Sequence, residues 1–200
     1  DCIMAEDTPT NAIRYTNHNG ENTMRTVLTI LLIALPCLAT TADEAEPARD
    51  DVAGIWLTAP GDDGRAQVEV TQRENGKYYG RIIWLNQPNY PEDHPEAGQP
   101  RHDLNNPDED KRDRPILGLE MLSGFKKTGE NMWAKGAIYD PSNGKTYKCK
   151  MWLEEEGREL HLRGYVGISL FGRTTVWERL SPEEAKAMRK EKTAEESREK

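Results

Sequence analysis

From Val52 to Leu180 the chain runs as short segments rich in Val, Ile, Thr and aromatic residues, each closed by glycine, proline or asparagine. That rhythm predicts strands joined by tight reversals and leaves no room for a helical core. The expected strands are 52–58, 65–72, 77–85, 116–125, 132–139, 146–154, 159–167 and 173–180. Between them stand Pro60-Gly61 with Gly64, Asn75-Gly76, Gly129, Asp140-Pro141 with Asn143-Gly144, Gly157 and Gly172. Each supplies the fixed or positive φ that a reversal needs, so neighbouring strands should pair antiparallel in chain order.

Alternation sharpens the prediction in the later strands. Tyr147, Cys149, Met151 and Leu153 fall on one face, and Lys148, Lys150, Trp152 and Glu154 on the other. In the next strand Leu160, Leu162 and Val166 oppose His161, Arg163 and Tyr165. A meander with one buried face leaves two unpaired edges, and rolling it shut removes both. The fold expected is therefore all-β: an eight-stranded antiparallel up-and-down barrel, preferred over a two-sheet sandwich on the edge argument, with a long loop between strands three and four. Ser181-Pro182-Glu183-Glu184 then opens a short C-terminal helix over 181–200, expected to fray into a charged tail.

Ahead of the barrel, 24–42 reads MRTVLTILLIALPCLATTA, a basic start, an apolar run and small residues, which is the layout of a cleavable export signal. The apolar part, 27–38, is too short to span a bilayer, which takes about 20 residues. Translation is expected to begin at Met24, leaving 1–23 as upstream sequence and 43–51 as a disordered linker. A lipid anchor at Cys37 is disfavoured by Pro36 before it. The mature chain is expected to be periplasmic or secreted, with no integral membrane segment.

Net charge is −8, and removing four acids (Asp1, Glu6, Asp7, Glu21) and two bases (Arg14, Arg25) with residues 1–42 leaves −6. That balance argues against a nucleic-acid binder. Cys149 then stands alone, expected as a buried apolar filler, and the fold must hold by packing.

Gly54-Ile55-Trp56 in the first strand and Trp177-Glu178-Arg179 in the last resemble the calycin, or lipocalin-like, arrangement, in which an arginine lies over a tryptophan where the barrel closes. A wider set of motifs extends the resemblance: Gly80-Arg81-Ile82-Ile83-Trp84-Leu85, Asn106-Pro107-Asp108, Arg114-Pro115-Ile116-Leu117-Gly118-Leu119, Gly136-Ala137-Ile138-Tyr139-Asp140-Pro141, Leu162-Arg163-Gly164-Tyr165-Val166-Gly167 and Gly172-Arg173-Thr174. Together they resemble small exported bacterial proteins known as domain of unknown function 2147. Lys135 departs from that pattern, where the family tends to place a second glycine. The resemblance implies a lipocalin-like barrel, with Gly54, Trp56, Trp177 and Arg179 in barrel closure, and brings no established activity.

Chemistry is sought first in the connection 86–114, whose second half gathers Asp103, Asn106, Asp108, Arg112 and Arg114. Read as structure, these residues form a turn and a salt-bridged hinge. Read as a site, Arg112 and Arg114 fork an anionic head group at the barrel lip while the interior takes an apolar tail. A metal reading from His94, His102, Asp103 and Asp108 misses the calcium-loop spacing, so no metal and no cofactor are assigned. No nucleophile elbow, metalloprotease helix or phosphate loop is present, which disfavours an enzyme without deciding the matter. Tyr139 and Tyr147 are expected to pair across strands, and Arg163 with Tyr165 reads as ordinary surface ahead of a protein contact. The expected role is binding of a small amphiphilic or hydrophobic ligand through Asp103, Asn106, Asp108, Arg112 and Arg114. The alternatives are an envelope protein–protein interaction module and, behind it, a hydrolase using Asp103 and Asp108. The oligomeric state stays open, a homodimer included.

Overall fold

In the computed structural model, residues 50–61 and 64–198 are described. The expected upstream segment, the expected export signal and most of the expected linker lie outside them. The strands are β1 (Gly54–Leu57), β2 (Ala66–Gln72), β3 (Tyr78–Leu85), β4 (Glu120–Gly129), β5 (Met132–Asp140), β6 (Lys145–Glu154), β7 (Glu159–Tyr165) and β8 (Arg173–Leu180). They pair antiparallel in chain order and close into a barrel, β8 returning to β1. Local chemistry makes the reversals: Asn75 Oδ1 accepts from Lys77 N at 3.0 Å beside Gly76 at φ +70°. Asp140 accepts from Ser142 N and Oγ and from Asn143 Nδ2 before Gly144 at φ +68°.

At the seam, Ile55 lies opposite Leu180, Trp56 opposite Arg179 and Leu57 opposite Glu178. The Arg179 guanidinium sits 4.2 Å from the Trp56 ring centroid. Its nitrogens donate to the carbonyls of Gly157 (2.6 Å), Ala53 (3.0 Å) and Asp51 (2.6 Å), tying two stretches of backbone to one plane. Gly54 is required beneath it, since φ is +142° and a Cβ there would stand 2.9 Å from Arg179 Nη1. Asp51, at the end of the expected disordered linker, is held in place: its carboxylate accepts from Ala53 N and Tyr78 OH.

The inner face follows the predicted alternation. Cys149, Met151 and Leu153 are buried in β6, Leu160 and Leu162 in β7. Inside, Trp56, Trp133, Phe125, Leu122 and Met151 are fully buried and fill the barrel. Two glycines make room for two of these fillers: a Cβ at Gly136 would lie 2.3 Å from the Phe125 ring, and one at Gly80 would lie 2.8 Å from Leu122. Cys149 is opposite Gly136 and Gly164 in its two neighbouring strands, and burial pushes its thiol up to about 12.

Four expectations are corrected. Strand β4 begins at Glu120, because 116–119 turns on itself: Gly118 is at φ +91° and Leu119 N donates to Ile116 O. Strand β7 ends at Tyr165 where the chain bends at Gly167, so Val166 is exposed and not on the inner face. Tyr139 lies opposite Thr146 and Tyr147 opposite Ile138, so the tyrosines are one register position apart, on opposite faces of the sheet, and not a facing pair. The C-terminal helix is present, and as α1 (Pro182–Arg198) it continues through the segment expected to fray. Its start is a capping box, Ser181 Oγ accepting from Glu184 N and Glu184 accepting from Ser181 N. Ala185 and Met188 pack with Leu57 and Leu180, while Gln67 donates to Ala185 O and accepts from Arg189. Lys135 adopts φ +64° at a β5 bulge, a left-handed conformation that explains why glycine suits this position.

The filled interior gives a direct prediction. Gly136→Ala should lower unfolding free energy by about 3 kcal/mol by driving a methyl group into Phe125, with partial recovery on adding Phe125→Leu. Urea denaturation of the two variants measures it; a neutral Gly136→Ala contradicts a filled barrel at this level.

Candidate functional site

In an up-and-down barrel the β1–β2, β3–β4, β5–β6 and β7–β8 connections share one end. The β3–β4 connection is stitched back to the wall there: Gly118 N donates to Ile82 O, and Ile82 N to Leu119 O. Further stitches run within it, from Arg101 N to Pro88 O and from Ile116 N to Arg101 O. Beside it, Ile116 and Leu119 are buried and Leu85, Met121, Ile138 and Tyr139 are partly buried against the core.

At its heart is Asp103, a carboxylate with no exposed surface. Oδ1 accepts from Tyr139 OH at 2.6 Å. Oδ2 accepts from Asn106 Nδ2 at 2.7 Å and from Arg114 Nε and Nη2 at 2.9 and 2.7 Å. The backbone completes the knot, Asp103 N donating to Arg114 O and Asn106 N to Asp103 O. A buried carboxylate is tolerable only when donors replace its lost water, and here four do so from three side chains, two of the four on the Arg114 cation. Burial and the hydrogen bond to Asp103 push the Tyr139 hydroxyl up to about 12.

The other expected site residues extend this knot outward. Asn106 Oδ1 accepts from Asp108 N, and Asn106 O accepts from Arg112 Nε at 3.0 Å. Arg112 Nη1 also reaches Glu109 at 3.2 Å. Asp108 caps the short 3-10 turn Glu109–Lys111, accepting from Asp110 N, and the ammonium of Lys111 at 2.6 Å holds its carboxyl below the usual range. Asp103 and Asp108 therefore have separate partner sets. His94 stacks on Tyr90 with ring centroids 4.0 Å apart, while the backbone of His102 exchanges hydrogen bonds with Tyr90 OH.

Three contributors were missed by sequence reasoning. Tyr139 supplies the shortest hydrogen bond to Asp103. Asn105 Nδ2 donates to the carbonyls of Pro141 and Ser142, joining the connection to the β5–β6 turn. Gly144 permits that approach, since a Cβ there would stand 1.7 Å from Asn105 O. Only the turn at Asn106-Pro107-Asp108 was visible, and nothing marked a partner for Asp103 thirty-odd residues on. Elsewhere, Glu154, Glu159 and His161 stand together among the described residues as potential metal ligands; His161 Nε2 lies 3.4 Å from Glu154 and 3.1 Å from Glu159, and its ring stacks on Trp152.

The motifs that resembled domain of unknown function 2147 thus lie on the seam, the inner wall and this knot. The family model described as "Uncharacterized protein conserved in bacteria (DUF2147)" matches residues 54–179. The chain belongs to the DUF2147 family. Among solved structures, this DUF2147 chain is similar to a protein described as "Protein HP1028 from the human pathogen Helicobacter pylori belongs to the lipocalin family". Identity is 27%, the match covers 70% of this chain and 89% of that one, and the TM-score is 0.58. No curated protein sequence matches. The DUF2147 barrel seen here is lipocalin-like.

Two tests follow from the knot. Asp103→Ala should cost about 3 kcal/mol by stranding Arg114 and Tyr139, measured by urea denaturation. The raised Tyr139 pKa means the unfolded state loses this proton first, so its share of stability is intact below about pH 10 and lost on rising through about 12. Tyr139→Phe should flatten part of that alkaline decline, and an unchanged profile contradicts the assignment.

Proposed function

We propose that this protein binds a small amphiphilic or hydrophobic molecule at the loop end of the barrel, close to the mouth. The observation that carries the reading is a lipocalin-like closed barrel whose long connection is fixed, through one buried carboxylate, beside partly buried apolar side chains. Because the interior is filled, it does not take the apolar tail expected from the sequence, and the reading places that tail near Leu85, Met121 and Ile138, where side chains are only partly buried. The side chains of Arg112 and Arg114 are 43% and 38% exposed, and guanidinium suits an anionic head group. Asp103, Asn106 and Asp108 act in this reading by positioning the two arginines. The layout of 24–42 supports a site of action outside the cytoplasm, in the periplasm or medium.

Titration with a fluorescent fatty-acid analogue tests the proposal. The two arginines separate cleanly. Arg112→Ala should weaken retention about tenfold while costing no more than about 1 kcal/mol of stability, since its ion pair with Glu109 is at the surface and it gives one hydrogen bond to Asn106 O. Arg114→Ala should weaken retention and also cost about 2 kcal/mol, because it strips Asp103 of its cation. No saturable binding by the parent protein, or unchanged retention in both variants, contradicts the reading.

A further inference from the structure

The connection between β7 and β8 concentrates apolar exposure as nothing else does among the described residues. Val166, Ile168, Leu170 and Phe171 are 74%, 60%, 73% and 79% exposed, the four highest values for large hydrophobic side chains. The loop that carries them is braced from behind. Arg163 Nε donates to Ser169 O at 2.7 Å, Nη2 to Leu170 O at 2.9 Å and Nη1 to Thr174 Oγ1 at 2.9 Å. Gly167 turns at φ +71°, and Gly172 packs where a Cβ would lie 2.6 Å from Gly164 O. A single guanidinium thus satisfies the loop carbonyls, and the apolar side chains are left to water.

Charge around the tip runs against the rest of the chain. Residues 145–153 and 160–177 contain Lys145, Lys148, Lys150, Arg163 and Arg173 and no acid, in a sequence with 35 acids to 27 of Lys and Arg. Register puts Lys148, Lys150 and Arg163 on one face of the wall, Lys148 opposite Tyr165 and Lys150 opposite Arg163, while Arg173, opposite Gly164, opens β8 on the other face and Lys145 lies opposite Asp140. Four such side chains present roughly 500 Å² of apolar surface, more than scattered singles and less than the about 800 Å² per partner of a standard protein interface. An apolar tip beside a basic stretch of β6–β8 wall matches a lipid surface bearing negative charge, where the acyl boundary takes the tip and head groups take the cations.

We propose that 166–171 is an interfacial docking tip that inserts into an anionic lipid bilayer, with Lys148, Lys150 and Arg173 on the head groups and Arg163 as the brace. It shares the barrel end with the 86–119 connection and uses none of its residues, so it stands or falls apart from the ligand reading.

The test places its readout on the tip, because 27–38 is itself apolar and common to all variants. In the full chain carrying Cys2→Ser and Cys37→Ser, with Cys149 buried, Leu170→Cys takes an environment-sensitive fluorophore. Phosphatidylcholine vesicles containing phosphatidylglycerol should shift its emission to the blue, and spin-labelled lipid should quench it. Adding Lys148→Glu with Lys150→Glu should raise the lipid concentration needed about tenfold. Water-like emission with these vesicles overturns the proposal, as does an equal response to phosphatidylcholine alone. A blue shift that grows with protein concentration in the absence of lipid overturns it in favour of contact between copies.

Discussion

Closure of the sheet through β1 and β8 is the constraint on which the rest of this structure depends. An open eight-strand meander would leave two rows of unpaired backbone groups. The seam pairs only three registered positions, so it needs reinforcement beyond its ladder. Arg179 supplies it, stacking on Trp56 while its donors reach carbonyls of Asp51, Ala53 and Gly157. A lysine could offer neither the flat face nor the fork. The indole N–H of Trp56 turns the other way, to Val52 O, so both partners of the stack are also hydrogen-bonded to backbone.

Closure divides the molecule into two ends with different work. At the seam end, Trp56, Tyr78 and Trp133 build a packed floor, Tyr78 meeting Trp133 edge-on at 5.9 Å and burial together with Asp51 raising its hydroxyl pKa. At the other end the connections gather, and polar chemistry is spent on fixing them. Asp103 is the extreme case, a fully buried carboxylate that holds the connection, the end of β5 and an arginine in one network. Such networks specify a single arrangement because each missing donor exposes a buried charge to an apolar surrounding. Arg163 performs a comparable task for the β7–β8 loop with neutral acceptors, which lets that loop hold a shape while its side chains stay in water.

Much of the barrel was legible because strand periodicity and turn chemistry agree. The β6 alternation of Cys149, Met151 and Leu153 gave its inner face directly, and Gly54-Ile55-Trp56 with Trp177-Glu178-Arg179 marked the seam. Legibility failed where backbone geometry overrides residue preference. The apolar run 116–119 reads as strand, yet Gly118 at positive φ folds it into a turn docked on Ile82. Lys135 occupies a left-handed bulge that no lysine announces. At the loop end, Asp103, Asn106, Asp108, Arg112 and Arg114 were legible as a cluster. The orientation of that cluster was not, because Tyr139 and Gly144 lie far along the chain and reach it only once β5 and β6 have paired. The degree of filling was hidden for a similar reason: Phe125 occupies space left by Gly136 on the neighbouring strand, a complementarity visible only in three dimensions.

Amide hydrogen exchange across the seam tests the central claim most directly. With the barrel closed by β1 and β8, the backbone amides that ladder Ile55–Leu57 to Glu178–Leu180 should be protected to an extent comparable with those between β5 and β6. Seam amides that exchange at the rate of free strand edges, while β5 and β6 remain protected, would show an open sheet and contradict the account.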